Sequence, residues 1–231
     1  MARQKSAELK PNVERPTDEY VPGWQQSSVD RSLRNARARA QKRSDRFVTA
    51  AIELLSEHDE SDFTVQDVVD RATMSQRTFY TFFDGKDSLM LAVYETILRT
   101  TAVPMLRERC DGIDDPVLRL KALVEALSDI TAMESPLSRG LSVLHLRLTE
   151  TRPIDLAHAL EPLHELIVEL LTGVAAAGLL REDVGLTTQA ALLQELLFAS
   201  AHSAVLSAGN ARTTSVDDMW AFCSAAILRR D

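Results

Sequence analysis

Residues 75–83, SQRTFYTFF, confine the fold more tightly than any other stretch of the chain. Three of the seven Phe and one of the three Tyr fall in its last five positions, directly behind Gln76, Arg77 and Thr78. At about 100° per helical residue, Phe79 and Phe83 share one face and Arg77 and Thr81 point roughly opposite, with Thr78, Tyr80 and Phe82 on the flanks. Ser75 is a good N-cap for a helix beginning at Gln76, and DGKDS breaks the chain behind it. So short a helix is not stable alone, because isolated helices below about 12 residues are marginal in water. The two Phe must anchor it on its neighbours, and its polar face is left free.

Those neighbours can be read on either side. Phe47, Ala50, Ala51, Leu54 and Leu55 form one apolar stripe at helical spacing. After the polar interruption SEHDESDF, Thr64 and Asp67 have capping-box spacing ahead of Val65, Val68, Val69 and Ala72. Asp84 and Asp87 are spaced as another cap pair, for a helix running from about Lys86 past Arg99. Three helices between 47 and 83, the second and third joined by a tight turn, make the helix-turn-helix outline. Further helices are expected near 116–133, 137–149, 154–177, 187–208 and 215–229. Ala and Leu dominate and Gly and Pro number only eight each, so the chain reads as all-α. No signal peptide and no apolar run of the roughly 18 residues that span a membrane is seen. Cys110 and Cys223 lack a metal or redox spacing and read as buried thiols of a reducing, cytoplasmic compartment.

The stretch RFVTAAIELLSEHDESDFTVQDVVDRATMSQRTFYTFFDGKDSLMLAVYE resembles the DNA-binding domain of the tetracycline-repressor (TetR) family. The marks are AA with paired Leu in the first helix, FTVQDVV opening the second, and S-x-x-T-F-Y-x-F-F-x-x-K-x-x-L across the third and fourth. Two glycines common in the family are absent: one is replaced within HDESDF, and Thr73 stands in the helix turn. The resemblance implies that the third helix enters the major groove. Gln76, Arg77 and Thr78 then lie nearest the base edges, where Arg suits guanine and Gln suits adenine. It further implies that Tyr80 meets a phosphate, with Thr81 on the same exposed side. Thr64 and Lys86 begin helices whose free N–H groups favour an anion.

Charge complicates this picture. Residues 47–94 hold three basic side chains (Arg71, Arg77 and Lys86) against nine acidic ones, and the whole chain is at −8. Neutralising phosphates drives most affinity for duplex DNA. Residues 31–46, RSLRNARARAQKRSDR, carry seven Arg or Lys against one Asp. They are expected to supply the missing attraction, lying along the backbone or putting Arg37 or Arg39 into a neighbouring minor groove, with Arg43 and Arg46 also among the expected DNA contacts. A tail that merely aids solubility is the alternative.

The expected organisation is a flexible, partly basic arm over 1–42, the helix-turn-helix domain over 43–94, and a helical ligand-binding and dimerisation domain over 95–231. The apolar segment 187–208, with Ala199, Ser200, Ala201 and Ala204 permitting close approach, and the segment 215–229 resemble the family's four-helix dimer interface. A homodimer would read a pseudo-palindrome of double-stranded DNA. Met133, Leu141, His145, Leu148, His164 and Val168 are the candidates for a small-molecule effector, expected to be hydrophobic or amphipathic. No metal, cofactor or catalytic residue is expected: GLSVL lacks the second Gly of a nucleophile elbow, and Asp87 stands where a P-loop needs Ser or Thr. The expected function is a ligand-responsive transcriptional regulator, more often repressor than activator in such a family. The alternative is a helical small-molecule-binding protein whose helix-turn-helix module no longer binds DNA.

Overall fold

The computed structural model describes residues 23–57, 63–132, 135–206 and 214–229. They form ten α-helices: α1 (Gly23–Glu57), α2 (Val65–Arg71), α3 (Gln76–Phe82), α4 (Lys86–Ile97), α5 (Val103–Cys110), α6 (Pro116–Ala132), α7 (Pro136–Thr151), α8 (Pro153–Ala176), α9 (Leu186–Leu206) and α10 (Val216–Ile227). No strand forms among the described residues, only an isolated bridge between Leu180 and Leu228. The class is all-α. The chain divides into two units, Met1–Lys42 and Arg43–Asp231.

In the first unit, the expected arm is helical from Gly23, and residues 1–22 lie outside the described residues. Arg, Ala, Gln and Lys are strong helix formers, which lets RSLRNARARAQK stay helical with almost every side chain exposed.

In the second unit, the caps fall where the sequence puts them for α2 and α3. Thr64 and Asp67 form a reciprocal capping box, and the Ser75 hydroxyl accepts from the Thr78 N–H at 3.1 Å. Helix α4 differs. Its N-cap is Gly85, with no side-chain cap, so Asp84 and Asp87 are not a cap pair. Asp87 instead pairs with Arg147 of α7.

Helix α4 continues through one π-helical turn, Leu98–Ala102, into α5, a break the sequence pattern does not announce. Pro104 has no N–H to offer the carbonyl of Thr100, which forbids a regular α-helical register there. Thr96 and Thr100 also turn their hydroxyls onto the carbonyls of Ala92 and Thr96, which loosens a helix further. The run Lys86–Cys110 is apolar and long enough to cross a membrane, contrary to the expectation of no such run. Its Leu89, Met90, Val93 and Leu106 are fully buried in the two cores of this chain.

The turn between α2 and α3 is a Schellman motif. Met74 N–H donates to Val69 O and Thr73 N–H to Asp70 O, which puts Thr73 at φ 55°. The same motif closes α8, where Gly178 takes that position at φ 71°. A β-branched residue pays about 1–2 kcal/mol in the left-handed region, partly offset by the backbone entropy a glycine loses. Thr73→Gly is therefore expected to stabilise the protein by about 0.5–1 kcal/mol, raising Tm by about 1–3 °C. A fall in Tm on thermal unfolding would show that the threonine makes a compensating contact.

One core joins α1–α4 to α7 and the start of α8, through Phe47, Leu55, Phe79, Leu89, Leu144, Leu148 and Leu156. A second joins α5, α6, α8, α9 and α10 through Leu106, Leu123, Ile167, Leu193 and Cys223. Phe198 of α9 packs against both. Helix α7 approaches α1 so closely that a Cβ on Gly140 would stand 2.7 Å from Leu55 Cδ1.

Candidate DNA interface and effector cleft

Helix α3 is held by its aromatics. Phe79 is fully buried and meets Phe47 and Tyr80 edge to face, at 5.4 and 5.3 Å between ring centres. Phe83 is also buried but lies one residue past the helix, as its extended C-cap. Gln76, Arg77, Tyr80 and Thr81 are exposed, while Thr78 and Phe82 are half-buried. The polar face forecast from the wheel is present, and its members differ in how free they are.

Arg77 is exposed and its guanidinium makes no hydrogen bond or ion pair to a described residue. Tyr80 is 58% exposed, its ring steadied by Phe79. Gln76 is tethered: its Nε2 donates to Gln66 Oε1 at 2.6 Å, and Gln66 Nε2 donates in turn to Asp70 at 2.7 Å. A bidentate contact to adenine uses one of the two Nε2 hydrogens, and the bond to Gln66 already commits the other and restrains the amide's orientation. Thr78 shares a 2.8 Å hydrogen bond with Ser75, and Thr81 donates to the Arg77 carbonyl. Thr64 is engaged in its capping box, where the Asp67 carboxylate already occupies the first turn of α2. That leaves little room for a phosphate at this helix end.

The cations are also engaged. Lys86 Nζ donates to the Phe63 carbonyl at 2.7 Å and sits 4.2 Å from the centre of the Phe63 ring. It pins α4 to the chain ahead of α2. Arg71 pairs with Glu57 at 2.7 Å and Glu53 at 3.5 Å. Arg46 donates to the Ala72 carbonyl at 2.6 Å, a cation at a helix C-terminus where the dipole favours it. Arg37, Arg39 and Arg43 are exposed. Of the three cations in residues 47–94, Arg77 alone is unengaged among the described residues.

The effector candidates are dispersed. Met133 lies outside the described residues. Leu148 is buried in the core shared with the helix-turn-helix domain, and Leu141 packs on that core. Val168 packs on the second core. A narrow cleft is lined by Leu127, Leu163, Ile167, Gln194, Leu197 and Phe198, none of them among those candidates. Two of the candidates touch its wall. His164 Nδ1 is 3.3 Å from Gln194 Oε1; a carbonyl oxygen only accepts, so Nδ1 carries the proton. The His145 ring stacks on Phe198 at 4.3 Å, and its Nδ1 lies 2.7 Å from the Tyr94 hydroxyl of α4.

Burial pushes His145 down to about 4, with the neighbouring His202 adding to the effect. The ring is therefore neutral at pH 7, and Tyr94 donates to it. Burial raises the Tyr94 hydroxyl well above its ordinary value, so it too stays protonated. Tyr94, Gln194 and Phe198 escaped the sequence reading. The signal available was weak: Gln194 and His202 are two of several polar residues in a mostly apolar α9.

Residues 47–93 match the family model described as bacterial regulatory proteins, tetR family. A Bacillus subtilis (strain 168) protein described as the uncharacterized HTH-type transcriptional regulator YvdT is 31% identical over 87 residues, 38% of this chain. The match spans only 44% of that relative's length. The fold is shared with the fatty acid degradation regulator FadR from Bacillus halodurans, at TM-score 0.62 and 18% identity over 78% of this chain and 97% of that one. It is shared equally with Thermus thermophilus FadR, described as a TetR-family transcriptional repressor in complex with lauroyl-CoA, at TM-score 0.62 and 23% identity over 78% and 90% of the two chains. Residues 47–93 are thus a helix-turn-helix domain of the tetR type found in bacterial regulatory proteins, and the chain shares the all-α fold of the solved regulators.

Proposed function

We propose that the chain is a cytoplasmic transcriptional repressor that reads a pseudo-palindromic operator as a homodimer and is released by an apolar or amphipathic small molecule. It has no catalytic role in this reading. One observation carries it: Phe198 lines the cleft, stacks on His145, and His145 is hydrogen-bonded to Tyr94 of α4, the helix that follows the recognition helix α3. Helix α7 meets the DNA-binding domain twice more, through Gly140 against Leu55 and Arg147 against Asp87. An occupant that moves Phe198 would shift α4 and α7 together. Only differential affinity for the two arrangements can then change DNA binding.

The Thermus relative with its lauroyl-CoA supports an apolar effector in this architecture. Dimerisation is supported by Leu192 of α9 and Phe222 of α10, 61% and 65% exposed, beside exposed Ala199, Ala221 and Ala225. Residues 207–208 and the side chain of Ala204 lie outside the described residues.

Tyr94→Phe tests the carrying observation. It removes one hydroxyl from a buried bond and is expected to leave operator affinity within about twofold while cutting effector response by about fivefold, since a buried hydrogen bond is worth about 1 kcal/mol. Unchanged induction in an operator-release titration would sever the link.

The basic helix over 31–46 is proposed to supply backbone attraction, because Arg71 and Lys86 are engaged elsewhere. Deleting residues 1–42 removes five of its Arg and Lys. The slope of log affinity against log salt should fall by about 0.9 for each of them that had met a phosphate. An unaltered slope would make the segment a bystander. The same engaged cations favour a second reading, a small-molecule-binding protein whose helix-turn-helix no longer binds DNA. Under that reading, full-length protein shows no operator preference.

A further inference from the structure

We infer that Asp70 and Gln66 are positioning residues that fix which end of the Gln76 amide meets a base, so that Gln76 presents its carbonyl and selects adenine or cytosine. This rests on the proposal that the chain reads DNA through α3, and it names what one side chain of that helix recognises. The three residues form a chain of hydrogen bonds across two helices. Gln66 Nε2 donates to Asp70 Oδ1 at 2.7 Å within α2, and Gln76 Nε2 of α3 donates to Gln66 Oε1 at 2.6 Å. All three residues are exposed.

The direction of this chain is set at its acidic end. An ionised carboxylate only accepts hydrogen bonds, whereas an amide can offer either end. Asp70 therefore turns the Gln66 nitrogen toward itself, which leaves the Gln66 carbonyl for α3. That carbonyl takes a hydrogen from Gln76, which holds Gln76 Nε2 against α2 and leaves Gln76 Oε1 without a hydrogen bond to a described residue. On the free surface such bonds compete with water. In a groove from which water is displaced the lower dielectric strengthens them, so the bias is greatest where it would be used.

A carbonyl presented in this way sorts bases by their major-groove edges. Adenine N6 and cytosine N4 carry hydrogens that it can accept. Guanine O6 and thymine O4 are acceptors, and either would face the carbonyl oxygen with no hydrogen between them. Adenine gains a second contact, because the other Nε2 hydrogen remains for its N7. The order on the strand that Gln76 faces is then adenine, cytosine, and guanine or thymine about five- to tenfold behind. Without the carboxylate of Asp70 the Gln66 amide can turn over and the Gln76 amide can turn with it, which opens the position to guanine and thymine.

The test is selection from a random duplex pool by full-length wild type, Asp70→Asn and the double variant Asp70→Asn with Gln66→Glu. Gln76→Ala run alongside marks the base pair that Gln76 reads. At that pair wild type should favour adenine and cytosine over guanine and thymine on one strand by about five- to tenfold, and Asp70→Asn, which keeps the shape of the side chain, should shrink the ratio below about twofold. Adding Gln66→Glu should restore it, because a carboxylate at position 66 accepts directly from Gln76 while the net charge returns to that of wild type. A merely structural role for Asp70 would not be repaired in this way. Gln66→Met, which removes the relaying amide, replaces Asp70→Asn should that variant fail to fold. Four results overturn the inference: no base pair that responds to Gln76→Ala, a marked pair whose two favoured bases are not adenine and cytosine on a common strand, a preference that survives loss of the relay, or a loss that Gln66→Glu does not restore. Each of these, found with an enriched inverted repeat, leaves the regulator reading standing. A pool that stays random for wild type overturns that reading and the inference together.

Discussion

Arg77→Ala is expected to lower operator affinity by about 1–3 kcal/mol per half-site, roughly five- to a hundredfold, without lowering Tm. The two halves of that expectation come from one fact. The guanidinium is exposed on α3 and bonded to no described residue, so its removal breaks nothing within the fold. On the DNA it would be the side chain of the first turn freest to meet a guanine edge. Affinity for random duplex should change much less, since base contacts carry discrimination and phosphate contacts carry attraction. Gln76→Ala should cost less, because the bond to Gln66 takes one of its two amide hydrogens and restrains its orientation. A variant that binds operator as tightly as wild type in a gel-shift titration would remove Arg77 from the interface.

Phe79→Ala should have the largest effect on stability, about 3–5 kcal/mol as for other buried Phe→Ala changes. Phe79 is fully buried and touches Phe47, Tyr80 and Phe83. A helix of seven residues has no independent means of support. Its core is continuous with Leu144 and Leu148 of α7, so the loss should appear in the global transition on urea unfolding. A cost under about 1.5 kcal/mol would mean that α3 is held mainly by something else. Arg77→Ala and Phe79→Ala thus separate a reading residue from an anchoring one, although two positions part them.

What the sequence made legible is local. The caps at Thr64 and Ser75, the apolar stripes and the split of α3 into buried aromatics and polar tips all follow from residues within a turn or two of one another. What it hid depends on distant partners. Nothing around Lys86 announces that Phe63 will take its ammonium, and nothing around Arg46 announces the Ala72 carbonyl. Lys86 was expected at a phosphate because it begins a helix, and Arg46 because its segment is basic. The effector candidates on α7 and α8 do not line the cleft, though His145 and His164 contact its wall, for a related reason. Apolar periodicity marks a buried face but not which neighbour it meets, and the wall is assembled from α6, α8 and α9. Charge counting along the chain likewise could not show that Arg71 is matched to Glu57 and Glu53. That pairing makes the acidic domain poorer in free cations than its composition suggests.

The central claim is that this acidic helix-turn-helix domain reads DNA at all, as one half of a symmetric pair. Selection from a random duplex pool by the purified full-length protein, followed by sequencing, tests it most directly. The account predicts an enriched inverted repeat, which Arg77→Ala protein fails to enrich. A pool that stays random, including after the protein has been unfolded, stripped of bound small molecules and refolded, would contradict it.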